Sequence, residues 1–195
     1  GISGMGYYSF AGAYITQIDN IEKFLLGSAV TNYVFDSGVL SGKTIEVAGT
    51  AGYTLTVSGS ATLVDLSHLT FSGTQPSKLE INFGAMGGLA ASHTVTGSSG
   101  NDTITAYGSL TGNNTVAGGL GNDTITGANG MDAAVFQGAA AGYRIGGTAS
   151  YLTVADIDTV SVNEGTDSLS SVEQLLFSDS TVSVSGAGTA LTLTA

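Results

Sequence analysis

Residues 97–105 read GSSGNDTIT and residues 118–126 read GGLGNDTIT. Two more copies keep the same frame: residues 109–117 read SLTGNNTVA and residues 127–135 read GANGMDAAV. Aligned on the sixth position, the four nonamers carry Asp102, Asn114, Asp123 and Asp132. The last three stand nine residues apart. The first step is twelve, which places an insertion of about three residues near Ala106, Tyr107 and Gly108.

Each nonamer divides into a six-residue turn and a three-residue strand. Glycine tolerates positive φ and close backbone approach, so Gly97, Gly100, Gly118, Gly119, Gly121, Gly127 and Gly130 let the turn fold tightly and aim carbonyls inward. The sixth position adds a charged oxygen. The apolar eighth position, filled by Ile104, Val116, Ile125 and Ala134, is expected to point into a core. Two nonamers complete one coil, so alternate turns stack on the same side. Calcium takes roughly 6–8 oxygen ligands at about 2.3–2.6 Å, more than one turn supplies but within reach of two stacked turns. Asp102 is then expected above Asp123, and Asn114 above Asp132. The first pair has two carboxylates and is expected to bind calcium better than the second. With the seven glycines named above, these four residues form the candidate metal site. Asp123→Ala is expected to do the most damage. A metal-free solenoid, with the Asp side chains making Asx-turns, is the plain alternative. Three N-x-T sequons at Asn101, Asn113 and Asn122 fall inside the turns and are read as by-products of the repeat.

The nonapeptide resembles the hemolysin-type calcium-binding repeat of RTX proteins, whose signature is G-G-x-G-x-D-x-U-x. The resemblance is strongest over residues 91–136. The following segment, with Ala134-Val135-Phe136, Ala141-Gly142-Tyr143 and then EGTDSLSSVEQLLFSDSTV (164–182), is similar to the region that closes such rolls. Residues 18–26 and 44–59 are similar to the strand-rich segment that precedes the repeats in some RTX surface proteins. The resemblance implies a parallel β-roll, bound Ca2+, type I secretion and folding outside the cell. The chain departs from the family in its few repeats, its Asn at one sixth position and its insertion.

Outside the repeats, residues 43–47, 53–57, 78–83, 151–154, 159–162 and 181–184 alternate Thr, Ser or Glu with β-branched or aromatic residues, the pattern of half-buried strands. Gly, Ser or Asn punctuates them. The best helix candidate is the short, uncapped DNIEKFLL at 19–26. The 195 residues include 30 Gly and 1 Pro, and 42% hydrophobic against 10% charged residues. That balance supports a packed core rather than disorder. With 15 acids and 4 bases, the net charge of −11 leaves no basic stripe for nucleic acid and disfavours an anionic membrane surface. The absence of Cys rules out a disulfide framework and thiolate metal sites. No run of about 18 apolar residues is present, so no membrane-spanning helix is expected. No signal peptide is visible, and the start at Gly1 suggests a processed or excised piece.

The acids Asp156, Asp158, Glu164, Asp167 and Asp179 cluster near the C-terminus and are read as a further calcium site or a solvated loop face. Asp36 and Asp65 have no spacing pattern, and Glu22 and Lys23 are expected to be exposed. The two histidines, His68 and His93, sit in no catalytic or zinc motif. No nucleophile elbow, phosphate-binding loop or H-E-x-x-H occurs, so no enzyme is expected. The eight Tyr and seven Phe are scattered, which argues against a sugar-binding face.

The expected architecture is all-β, with a short parallel β-roll flanked by other strands. It has a strand-rich portion over 1–90, the calcium-binding roll over 91–136 and a C-terminal β cap over 137–195. The expected role is that of an extracellular or cell-surface structural protein, a subunit of a surface layer, filament or adhesin. Calcium rigidifies it, and it self-associates or lies on cell-surface polysaccharide. The residues 189–195, TALTLTA, alternate like a strand able to add to a neighbour. The alternatives are a secretion and folding module cut from a larger RTX enzyme or toxin, and a carbohydrate-binding module.

Overall fold

The computed structural model of the chain describes residues 2–3, 14–15, 18–19, 21–26, 32–49, 54–59, 61–73, 78–83, 91–106, 111–158, 160, 163–185 and 191–194. The alternating segments become strands, and the strands stack coil upon coil. One long sheet contains Tyr14–Ile15, Asn32–Asp36, Thr54–Gly59, Lys78–Phe83, Asp102–Ala106, Thr124–Thr126 and Thr166–Ser170, each parallel to the next. A second sheet stacks Leu63–Asp65, Thr94–Thr96, Thr115–Ala117, Ala133–Val135 and Gln174–Leu176 in the same way. The fold is all-β, and the repeats form a β-roll.

Register explains the core. Because side chains alternate across a strand, an in-register parallel stack places like residues in one column. Phe35, Val57, Ile81, Ile104, Ile125 and Leu169 make one such column on the first sheet. Val64, Val95, Val116, Ala134 and Leu175 make the other on the second. All of them are buried in one core cluster. The eighth positions of the nonamers therefore point inward, as their apolar character requires.

Coil width follows side-chain size. Between residues 23 and 73 a third parallel sheet is present, made of Lys23–Leu26, Ile45–Gly49 and Leu69–Gly73. Coils here advance 22 to 24 residues per turn, as the pairs Asn32 with Thr54 and Thr54 with Lys78 show. Their larger interior holds Phe24, Tyr33, Phe35 and Leu40, with the Phe24 and Phe35 rings 5.3 Å apart. In the repeats the advance falls to 21 residues from Thr103 to Thr124 and 18 from Thr115 to Ala133. Two walls then suffice, and Ile, Val and Ala fill the narrower space.

Lys78–Phe83 pairs directly with Asp102–Ala106, so the parallel stack begins well before the repeats. The segment read as a helix candidate, 19–26, instead contains the strand Lys23–Leu26, with Phe24 buried and Lys23 reaching Glu46 at 2.6 Å. Eight residues without a cap cannot nucleate a helix against a sheet edge that offers ready partners. A four-residue helix, Ser37–Leu40, is capped by Asp36, whose carboxylate accepts from Gly38 N at 2.9 Å. The strand expected at 159–162 lies largely outside the described residues.

After Val135 the chain leaves the roll. Tyr143–Thr148 and Tyr151–Asp156 form a hairpin, and its second strand lies antiparallel to Thr166–Ser170. Phe136, Tyr143 and Phe177 cluster at its base with centroids 5.1 to 5.3 Å apart. The roll then resumes for one coil. Thr181–Ser185 and Thr192–Thr194 finish the second sheet in antiparallel sense.

Candidate metal centre

The sixth positions lie at the start of each strand, just inside the turns, and are almost wholly buried. Asp102, Asn114, Asp123 and Asp132 are each no more than 2% exposed. Stacking joins them through the backbone: each side chain accepts from the peptide N–H of the same position one coil earlier. On one edge, Asp102 N donates to Asp123 Oδ1 at 2.8 Å, and Asp123 N donates to Asp167 Oδ1 at 2.8 Å. On the other edge, His93 N donates to Asn114 Oδ1 at 3.1 Å, Asn114 N to Asp132 Oδ1 at 2.8 Å, and Asp132 N to Glu173 Oε2 at 2.9 Å. The expected pairs, Asp102 with Asp123 and Asn114 with Asp132, are neighbours in these two ladders.

The turns are as tight as their glycines allow. A Cβ on Gly118 would run into the Asp123 carboxylate, and one on Gly97 would strike both the Gly118 carbonyl and the Asp102 carboxylate. Gly127 lies against the Ser171 carbonyl, and Gly130 against that of Gly112. Gly121, at φ +109°, faces the Gly100 carbonyl oxygen, 2.8 Å from where its Cβ would stand. Carbonyl oxygens and carboxylates thus crowd the same narrow edge.

Charge is the unresolved element of this packing. Burial pushes the Asp102 carboxyl up to about 8, with the Asp123 charge adding to the effect. Burial likewise raises Asp123 to about 7, with a contribution from Glu164. Asp167 rises to about 8 for the same first reason, helped by the charges of Asp123 and Glu164. Glu173 is raised too, mainly by burial. Desolvated carboxylates stacked in a row repel one another unless protonated or joined by a cation. One oxygen makes the need specific: Asp123 Oδ2 is buried and has no hydrogen-bond partner. Among the described residues, no three His, Asp or Glu side chains gather closely enough to hold a metal by themselves. A cation on these edges would therefore use backbone carbonyls beside the carboxylates. An all-oxygen donor set of that kind fits a hard ion such as calcium. The residues fit the ion: Asp102 and Asp123, with turn carbonyls, would hold it on one edge, and Asp132 with the amide oxygen of Asn114 on the other. Bound there, calcium would neutralise the stacked charge and tie successive coils together.

Several participants lie outside the quoted repeats. Asp167 and Glu173 continue the two ladders, and His93 begins the second, with its Nδ1 3.2 Å from Asn114 Oδ1. The signal for Asp167 is present in the sequence. Gly165-Thr166-Asp167-Ser168-Leu169-Ser170 has the G-x-D-x-U-x form of the last two-thirds of a nonamer. The remaining C-terminal acids divide. Glu164 is 4% exposed, and its carboxylate takes the Tyr143 hydroxyl and, at 3.0 Å, Gln137 N. Burial and that carboxylate together raise the Tyr143 hydroxyl above its ordinary range. Asp156 accepts from Glu164 N at 2.9 Å, Asp158 accepts from Val160 N, and exposed Asp179 accepts from Ala140 N. These three fasten loops. The sequon asparagines are occupied by neighbouring coils. Asn101 Oδ1 accepts from Asn122 N at 2.9 Å, and Asn113 Oδ1 from Met131 N at 3.0 Å. His68 is exposed.

Residues 94–109 and 110–132 match the family model described as RTX calcium-binding nonapeptide repeat (4 copies). No curated protein and no solved structure matches the chain. The chain thus carries RTX nonapeptide repeats, which bind Ca2+.

Proposed function

We propose that this RTX-repeat chain is an extracellular structural subunit without catalytic activity, stiffened by calcium and assembled into a surface layer, filament or adhesin. The observation that carries the calcium part is the row of buried carboxylates Asp102, Asp123 and Asp167, with the partnerless Asp123 Oδ2 at its middle. Such a row is unfavourable in an isolated roll and favourable around a divalent cation. Proteins with RTX repeats are typically secreted, and calcium outside cells reaches the affinity range of about 10⁻⁴–10⁻³ M common in extracellular modules. Assembly is supported by the strand Thr192–Thr194, which is exposed and stands, among the described residues, at the end of its sheet, where a neighbouring strand can add. Cell-surface polysaccharide is a further surface on which such a subunit could lie.

Light scattering coupled to size exclusion, run across a calcium titration, tests this reading. A calcium-dependent rise from monomer to large assemblies is expected. Compaction without a rise in mass would end the assembly part. A second reading, a folding and secretion module within a longer RTX protein, would then stand. The antiparallel closure at the C-terminal side, with its Phe136, Tyr143 and Phe177 cluster, favours that second reading.

A further inference from the structure

Asp167 is 44 residues beyond Asp123, on the far side of the hairpin, yet the fold returns it to the carboxylate ladder. The return is detailed. Thr124, Ile125 and Thr126 pair with Ser168, Leu169 and Ser170. Thr166 N donates to Asn122 Oδ1 at 2.7 Å, as Asn122 N donates to Asn101 Oδ1 one coil earlier. Gly165 stands against the Gly121 carbonyl, and both glycines have positive φ, +87° and +109°. Turn 163–167 therefore reproduces the second half of turn 118–123.

The two outer nonamer turns answer their own carboxylates. Ser98 N donates to Asp102 Oδ2 at 2.6 Å, and Ala128 N donates to Asp132 Oδ2 at 2.5 Å. In the inner turn 118–123 the matching residue is Gly119, at φ +106°, and Asp123 Oδ2 receives no donor. A carboxylate oxygen that is buried and without a donor, on a residue only 1% exposed, calls for a positive partner. Asp167, itself 4% exposed, brings the second carboxylate to the same edge.

We propose that a calcium ion is held between turn 118–123 and turn 163–167, with Asp123 and Asp167 as its carboxylate ligands, and that it fastens the chain beyond the hairpin to the repeats. The proposal rests on the calcium reading of the repeats and extends it past the last nonamer. The ion closes a loop that contains the fourth nonamer and the whole hairpin. Since Tyr151–Asp156 pairs with Thr166–Ser170, loading this site fixes the hairpin as well.

Asp167→Asn tests it, because the amide keeps an oxygen to accept from Asp123 N while losing the charge. Calorimetric titration of the full chain with calcium is expected to show one ion fewer for D167N than for the wild type. Amide exchange in Tyr151–Asp156, slowed by calcium in the wild type, is expected to lose that response. An unchanged ion count and midpoint in D167N would overturn the proposal. If the wild type itself takes up no calcium, the reading of the repeats fails first, a separate result. A measurement on the unaltered chain covers misfolding of the variant. The Gly165 and Thr166 amide resonances must shift in step with those of Gly119 and Gly121 during the titration, and a stationary Gly165 would overturn the proposal.

Discussion

At the scale of single residues, the governing fact is where Asp102, Asp123 and Asp167 stand: at strand starts, desolvated, one above the next. Their carboxyls are raised to between about 7 and about 8 in the folded chain, from an ordinary value of 3.8. The calcium-free folded state therefore holds more protons than the unfolded one between those values. Stability is present in full below pH 4 and is lost as pH rises through 7 to 8. The urea midpoint of calcium-free protein is expected to be higher at pH 5 than at pH 8, and saturating calcium should abolish the difference. An apo midpoint that rises with pH would contradict the burial of these charges. The sixth-position residues were legible because Asp and Gly recur at fixed spacing. Asp167 was legible as one of the C-terminal acids read as a further calcium site or a loop face, but its place in the ladder was hidden by the hairpin that interrupts the spacing, and Glu173 and His93 were hidden by side chains that depart from the motif.

At the scale of elements, each three-residue strand contributes one buried side chain to a column, and the column holds the coil. Ile104 is fully buried between Ile81 and Ile125. Ile104→Ala is expected to cost about 2–5 kcal/mol, the range for a truncated core aliphatic. Thr124→Ala, on the exposed side of its strand, should stay within about 0.5 kcal/mol. Urea unfolding in saturating calcium measures both, and similar losses would mean that the columns are not the source of stability. The strands expected at 78–83 and 151–154 were legible because alternation is strong there, and the second extends to Asp156 in the structure. Segment 19–26 misled because DNIEKFLL fits a helical period as well as a strand, and only the neighbouring strand Ile45–Gly49 decides between them. Tertiary pairing, absent from any local window, made that choice.

At the scale of the whole molecule, the roll is longer than its repeats. The same two columns run from wide coils lined by Phe and Tyr into narrow coils lined by Ile, Val and Ala. The sequence announced only the narrow coils, because they alone repeat at a fixed length. The wide coils advance by 22 to 24 residues with no shared motif, and their continuity with the repeats appears only in strand pairing, such as that of Lys78–Phe83 with both Thr54–Gly59 and Asp102–Ala106. In such a stack each coil contacts only its neighbours, so loss of one link weakens the whole. Calcium bound at the turns would act as those links, and its binding energy would appear as folding energy.

The most direct measurement is thermal unfolding of the wild type and Asp123→Ala across a calcium titration. Asp123 accepts from Asp102 N, donates to Asp167 and holds the partnerless Oδ2. The melting temperature of the wild type is expected to climb with calcium, while that of D123A starts lower and responds only at higher calcium. A wild-type melting temperature indifferent to calcium, or a D123A midpoint equal to the wild type's, would contradict a roll held together by calcium at its stacked turns.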